Sequence, residues 1–411
     1  NNSVYDKVTL RLAQQSFEES RIDRSLNKND RSTAVEQVEA YSVNLDFIKP
    51  TNHRNTLFYG IEYVFNDITS TGMLTDISTG IKTIGPARYP QSTWSSAAVY
   101  LNDEYALTNQ ITLQAGARYN QFKLDAQFDN TFYPFPFSAA HINNGSVTGS
   151  IGAVYRPTDT WVVSTNFGTA FRSPNVDDIG KVFDSEPGAV TVPNPNLKAE
   201  NAYSLDLSFL KVLGEAVKLD ISGYYTVLHN AMVRRNFLLN GQDSVMYDGS
   251  LSQVQAIQNA AVANVYGIQA GLEVKLPAGF SFSSDLNTQR GEEELDDETT
   301  SPSRHAAPLF GVSRLSYKAS NLNLQVYVAY QGERKFEDLA MEERGKDEIY
   351  AKDAAGNNYA PSWYTLNIKA MYEVTAHINL SAGLENITDQ RYRPYSSGIS
   401  APGRNFVLSL I

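Results

Sequence analysis

Apolar and polar side chains alternate with a period of two through most of this chain. In 378–385, Ile378, Leu380, Ala382 and Leu384 share one face, and Asn379, Ser381, Gly383 and Glu385 share the other. In 322–331, Leu322, Leu324, Val326, Val328 and Tyr330 oppose Asn323, Gln325, Tyr327 and Gln331. In 364–372, Leu366, Ile368, Ala370 and Tyr372 oppose Thr365, Asn367, Lys369 and Met371. The same pattern recurs at 203–209 and 217–227, where Ser204, Asp206, Ser208, Lys218, Asp220 and Ser222 form the polar side. By this criterion about sixteen β-strands are expected.

The connections alternate in length. Long ones are expected at 21–33, 68–92, 127–146, 171–200, 233–262, 290–304, 334–360 and 388–402. Short ones are expected at 50–54, 107–109, 156–160, 211–215, 276–279, 318–321 and 374–377. Tight turns on one side and long loops on the other are the pattern of a transmembrane antiparallel β-barrel, with periplasmic turns and extracellular loops. A soluble antiparallel sandwich also has one wet face, but three features disfavour it. The segments approach the ~9–11 residues that a tilted strand needs to cross a bilayer. Aromatic residues gather at segment ends (Trp161, Trp363 with Tyr364, Tyr224 with Tyr225), as interfacial girdles do. The polar face also carries Asp206, Lys218, Asp220, Glu273, Lys275, Lys369 and Glu385, which a sandwich core would bury at high cost and a watery lumen accepts.

With both termini periplasmic, the last strand, 405–411, runs inward and turns Phe406, Leu408 and Leu410 to lipid. The expected location is therefore the outer membrane of a Gram-negative cell, with the chain integral and crossing many times. Composition agrees. The 411 residues are 42% hydrophobic, mean hydropathy is -0.34, and no apolar run approaches the ~18 residues of a transmembrane helix. A net charge of -11 argues against a nucleic-acid partner. There are no cysteines. The chain opens Asn1-Asn2-Ser3-Val4 without a signal sequence, so Asn1 is expected to be a processed or cut boundary.

Short motifs then narrow the reading. Phe171-Arg172-Ser173-Pro174-Asn175 follows one strand, and Asn194-Pro195-Asn196-Leu197-Lys198-Ala199-Glu200 precedes the next. Asn264-Val265-Tyr266-Gly267-Ile268-Gln269 opens a strand. Gly383-Leu384-Glu385-Asn386-Ile387-Thr388-Asp389-Gln390-Arg391-Tyr392 leads into the last long loop, and Gly403-Arg404-Asn405-Phe406 opens the final strand. Together these resemble, in order, the sequence boxes of TonB-dependent outer-membrane receptors. The resemblance implies a barrel of ~22 strands with a plugged lumen. Residues 1–411 would supply about sixteen of those strands, with the plug, the TonB box and the first strands outside this sequence. It also implies binding of a scarce extracellular chelate and import driven by the TonB complex, reached through the N-terminal region not in this sequence, with outer-membrane lipid around the barrel. A ferric siderophore is the expected cargo, with haem or cobalamin as further options. The absence of histidine from 171–197 weakens haem. Two alternatives stay open: a passive sixteen-stranded porin and a surface docking barrel.

Oxygen-rich anions suit arginine, whose paired donors match them. The candidate ligand-binding residues are Arg172, Asn175, Arg234, Arg235, His305, Arg391, Arg393 and Tyr395, with Tyr392 and Phe183 as aromatic neighbours. The box residues Phe171, Pro174, Asn194, Pro195, Asn196, Leu197, Glu200, Asn386, Arg404 and Phe406 are expected to be structural, and the same reading pins Arg172 and Asn175 to the wall. Among the histidines, His53 and His377 fall in periplasmic turns and His229 sits high on a strand. His141 and His305 fall in extracellular loops, where a ligand can reach them. The acidic run 292–298 lacks EF-hand spacing and reads as a solvated loop. The charged loop 334–360 is a lid or disordered. There is no Gly-x-Ser-x-Gly, His-Glu-x-x-His or phosphate loop, so neither an enzyme, nor a cofactor, nor a resident metal is expected.

Overall fold

A computed structural model describes residues 3–411 apart from 134, 187, 248, 260, 261, 296–298 and 305. Among the described residues sixteen strands form the wall. They are β1 (Lys7–Asp23), β2 (Asp30–Asn52), β3 (Asn55–Asp76), β4 (Gln91–Ala106), β5 (Ile111–Gln127), β6 (Ala139–Thr158), β7 (Trp161–Arg172) and β8 (Glu200–Leu213). The second half is β9 (Val217–His229), β10 (Val262–Lys275), β11 (Phe280–Glu294), β12 (Phe310–Ala319), β13 (Leu322–Gln331), β14 (Trp363–Thr375), β15 (Ile378–Glu385) and β16 (Asn405–Leu410). Each pairs antiparallel with the next. Among the described residues no register joins β1 to β16, so the sheet is open at both.

All seven expected short turns are present, at 53–54, 107–110, 159–160, 214–216, 276–279, 320–321 and 376–377. Glycine is required at one of them. Gly279 has φ +84°, and a Cβ there would lie 2.3 Å from the Lys318 carbonyl oxygen. The eight long connections also fall where expected, but several are shorter than the pattern implied. Strands β1, β2 and β3 run 17, 23 and 22 residues, well beyond the ~9–11 needed to cross lipid. Residues 68–76 and 139–146 are therefore ladder, and the first long connection shrinks to 24–29. Hairpin pairing continues above the membrane because the alternation continues there.

Within the membrane the apolar face is the exposed one. On β8, Tyr203, Leu205, Leu207 and Phe209 are exposed, and on β16 so are Phe406, Leu408 and Leu410. Large apolar side chains at alternate positions along neighbouring strands make a belt for lipid. The opposite face is polar and internally paired. Arg11 meets Asp46 at 2.6 Å, Arg118 meets Glu62 at 2.6 Å, and Lys218 meets Glu273 at 2.8 Å. The expected girdle divides by parity. Trp161, Tyr225 and Tyr364 face outward, whereas Tyr224 and Trp363, one residue removed, turn inward. The Tyr224 hydroxyl bonds Gln289 Oε1 at 3.0 Å.

Higher up, the two faces exchange character. On β5 the outward series passes from Leu113, Ala115, Ala117 and Tyr119 to Gln121, Lys123, Asp125 and Gln127. Its inward series passes from Gln114, Arg118 and Asn120 to Phe122, Leu124 and Ala126. On β6, Val147, Ile151 and Tyr155 face outward below, and His141 and Asn143 face outward above. The exchange falls at one height, since Gln121 opposes Gly145 and Leu124 opposes Ile142. That line is where lipid gives way to water.

The inward apolar patch above it has a partner. Leu124, Ala126, Ala140 and Ile142 pack with Ile179 of helix α1 (Val176–Gly180) and with Leu197. Beyond it lies a five-stranded sheet made of Phe183–Glu186, Ala189–Val192, Met232–Asn236, Ser244–Tyr247 and Ser250–Asn259. Its core is Val190, Val192, Leu239, Val254 and Ala256. This cap is drawn from the two loops 173–199 and 230–261.

Candidate functional site

The first motif pair turns out to be a bracket that fastens the cap. Arg172 Nε donates to Glu200 Oε2 at 2.7 Å, and its Nη1 and Nη2 donate to the two oxygens of Asp178 at 2.8 and 3.4 Å. Asn175 is the N-cap of α1. Its side chain accepts from Asp178 N–H at 3.0 Å, while Asp178 accepts from Asn175 N–H at 2.9 Å, a reciprocal capping box. Asn194 donates to Ile257 O at 2.8 Å and accepts from Asn196 N–H at 3.1 Å. Pro174 and Leu197 are buried. Arg172 and Asn175 thus direct their polar atoms into the protein. The Tyr89 hydroxyl donates to Asp177 at 2.7 Å, and Lys181 approaches the same carboxylate at 3.2 Å. Burial pushes Asp177 up, but the Tyr89 bond and the Lys181 charge outweigh it and hold the carboxyl below its usual range.

The last motif pair is a second bracket. Asn386 sits at φ +47° and Asp389 at φ +53°. The Asn386 amide donates to Gln390 O at 2.8 Å and Pro402 O at 3.2 Å, and its oxygen accepts from Gln390 N–H at 2.9 Å. Asp389 accepts from Arg404 N–H at 2.7 Å, and Arg404 Nε donates to Ile387 O at 3.0 Å. A Cβ at residue 403 would lie 2.6 Å from Asp389 Oδ1, so a larger residue there would push that carboxylate aside. The two brackets satisfy backbone groups that a wide loop would otherwise leave bare.

Between the second bracket and loop 332–362 lies a cavity of about 390 Å³. Trp363, on the inward face of β14, packs against Tyr392 with centroids 4.2 Å apart and the rings tilted by 33°. Arg391 lines the cavity, is exposed, and makes no hydrogen bond or ion pair among the described residues. The Trp363 indole N–H is buried without an acceptor among them. Arg393 also lines the cavity, but it donates to the carbonyls of Glu348 at 2.5 Å and Ile349 at 3.0 Å. Tyr395 stands behind the wall, with its N–H on Gln331 Oε1 at 3.2 Å and Arg334 5.7 Å from its ring centroid.

Loop 332–362 is packed and folded. It holds two 3-10 turns, Phe336–Asp338 and Met341–Glu343, and a small hairpin, Ala351–Lys352 with Asn358–Tyr359. Leu339, Tyr350 and Ala360 form its core. Glu343 is fully buried. Its Oε1 accepts from Arg304 Nε at 3.1 Å and Ser396 Oγ at 2.6 Å, and its Oε2 accepts from the Tyr350 hydroxyl at 2.6 Å. Burial pushes the carboxyl up, but the bonds from Ser396 and Tyr350 and the Arg304 charge outweigh it, leaving it below the usual range. Burial and the Glu343 bond push the Tyr350 phenol well above its usual value. Nothing local signals this site, because glutamate in a charged loop reads as solvated.

The remaining candidates are scattered. Arg234 and Arg235 lie on the cap strand Met232–Asn236, where Arg235 donates to the Glu294 carbonyl. His305 lies outside the described residues, as does the end of the acidic run, 296–298. His141 projects to the outside of the wall and pairs with Asp125 at 2.6 Å, so it does not face the vestibule. His229 packs edge-on against Tyr203 at 5.7 Å. Among the described residues no group of three His, Asp or Glu is arranged to hold a metal.

Comparison with known proteins fits this geometry. The family model described as "TonB dependent receptor-like, beta-barrel" matches residues 1–387. The chain belongs to the TonB-dependent receptors. A "Pesticin receptor" of Yersinia enterocolitica is 22% identical over 306 residues, covering 74% of this chain and 40% of its own. A "Probable TonB-dependent siderophore receptor PiuA" of Acinetobacter baumannii is 22% identical over 378 residues, covering 86% and 47%. The chain therefore spans about half the length of the curated relatives it matches. In fold it superimposes on the solved "Copper transporter OprC" with a TM-score of 0.77 at 14% identity, over 98% of this chain and 62% of that one. The proteins matched are receptors and transporters rather than enzymes. Their place is the Gram-negative outer membrane, and that is the location of this TonB-dependent receptor barrel.

Proposed function

We propose that this chain is the wall and vestibule of a receptor that binds an anionic ferric chelate, a siderophore, and imports it with energy from TonB. The observation that carries the reading is the cavity between loops 332–362 and 386–404. It combines an uncommitted, exposed guanidinium on Arg391 with the Trp363–Tyr392 aromatic pair. Such a guanidinium suits an oxygen-rich anion, and aromatic faces suit a planar ligand body. Relatives described as siderophore receptors support the cargo class, as does the family for TonB coupling. No observation favours the porin.

The test is radio-iron uptake by cells carrying the full-length receptor, with and without TonB. Chelate uptake should require both proteins. Arg391→Ala should weaken binding about tenfold or more, as expected for one charge-assisted hydrogen bond worth about 1.5–3 kcal/mol. Uptake that persists without TonB would sink the reading. Binding of a protein with no uptake of iron would point to a docking barrel instead.

A further inference from the structure

Glu343 bonds outward from the middle of a loop to two others. It takes Arg304 from loop 295–309, Tyr350 from its own loop 332–362, and Ser396 from loop 386–404. Tyr350 and Ser396, one from each of two loops, both line the cavity. One buried carboxylate therefore joins the two loops that line the cavity. Arg393 supplies a parallel tie from the same short segment to the Glu348 and Ile349 carbonyls.

We infer that Glu343 is a positioning residue for the vestibule site: its carboxylate fixes the separation of the two loops and thereby presents Arg391 and Trp363 in one arrangement. The inference rests on the binding function proposed above. A buried acid with three donors aimed at it is costly to leave half satisfied. Losing it removes at once the acceptor shared by Arg304 Nε and two hydroxyls, so the Arg393 tie no longer acts together with it and the separation of the two loops loosens. A site that is binding-competent only part of the time binds more weakly in proportion to that fraction. Glu343 does not touch the ligand in this scheme.

The test uses the full-length receptor with spin labels at Glu348→Cys and Ile399→Cys, both exposed positions on the two loops. The wild-type background should give one narrow label distance. Glu343→Ala should broaden it and weaken binding of a ferric tris-catecholate probe about tenfold. Ser396→Ala and Tyr350→Phe, which each remove one arm, should give smaller steps in both readouts. Glu343→Gln, which keeps an acceptor but loses the ion pair with Arg304, should fall between wild type and Glu343→Ala. Because the folded carboxyl lies below its usual range, its contribution is present above the ordinary glutamate value of about 4.3 and is lost as pH falls through the depressed value. The narrow distance should hold from neutral pH to about 5 and broaden only in stronger acid. An unchanged distance in Glu343→Ala overturns the inference while leaving the binding function standing. A broadened distance with unchanged affinity also overturns it. A broadened distance in a receptor whose wild type binds no ferric chelate would instead confirm the clamp and remove the function it serves.

Discussion

The membrane section of the wall and the section above it use one alternation with opposite sign. On β5, Tyr119 faces lipid and Arg118 faces the lumen, and two turns of the pleat later Lys123 faces water and Leu124 faces the cap. The strand, its register and its period do not change across that line; only the surroundings do. Polarity along a barrel strand is therefore set by what lies beside each face at each height, and a strand can serve two solvents in sequence.

The comparison can be broken most severely at Leu124. It is fully buried against the cap, so Leu124→Ala should cost about 2–5 kcal/mol of cap docking. The loss should appear as protease cleavage in 173–199 and 230–261, while the barrel keeps its heat-resistant mobility on a gel. Below the line the sensitive face is the other one. Leu205→Arg, on the lipid face near mid-depth, should cost about 2–4 kcal/mol of barrel stability in bilayers. Asn143→Arg, outward but above the line, should stay within about 0.5 kcal/mol. Equal costs for these two arginines, measured by unfolding in lipid, would abolish the boundary.

Smaller effects sharpen the same contrast. Arg172→Ala should release Asp178 and Glu200 and loosen the cap by about 1–2 kcal/mol, a figure reduced because the arginine is half exposed. Asn175→Ala removes a helix cap and should cost about 1 kcal/mol by the same protease measurement. Asp125→Asn breaks an exposed pair with His141 and should change barrel stability by less than about 0.5 kcal/mol.

Much of this was readable in the residues. The period of two, the long and short connections and the seven turns follow from local chemistry. The bonds of Asn386 and Arg404 reach backbone within 17 residues, whereas the Asn194 amide donates to Ile257, 63 residues away, which its local box does not signal. The candidate site was half legible. Arg391 and Arg393 are equal candidates in the sequence, but in the structure Arg391 is exposed while Arg393, two residues on, is tied to loop 332–362. Nothing local separates the two.

The sequence by itself determined which residues pair into strands, which side of each strand is polar, and in which membrane the chain belongs. Those properties depend on neighbours one or two residues apart. Only the tertiary structure decided where the polar side changes from inside to outside, that Trp363 turns into the vestibule while Tyr364 meets lipid, that His141 points away from it, and that Glu343 is buried among three loops. Each of these depends on groups brought together from distant parts of the chain, and burial is a property of that assembly rather than of the residue.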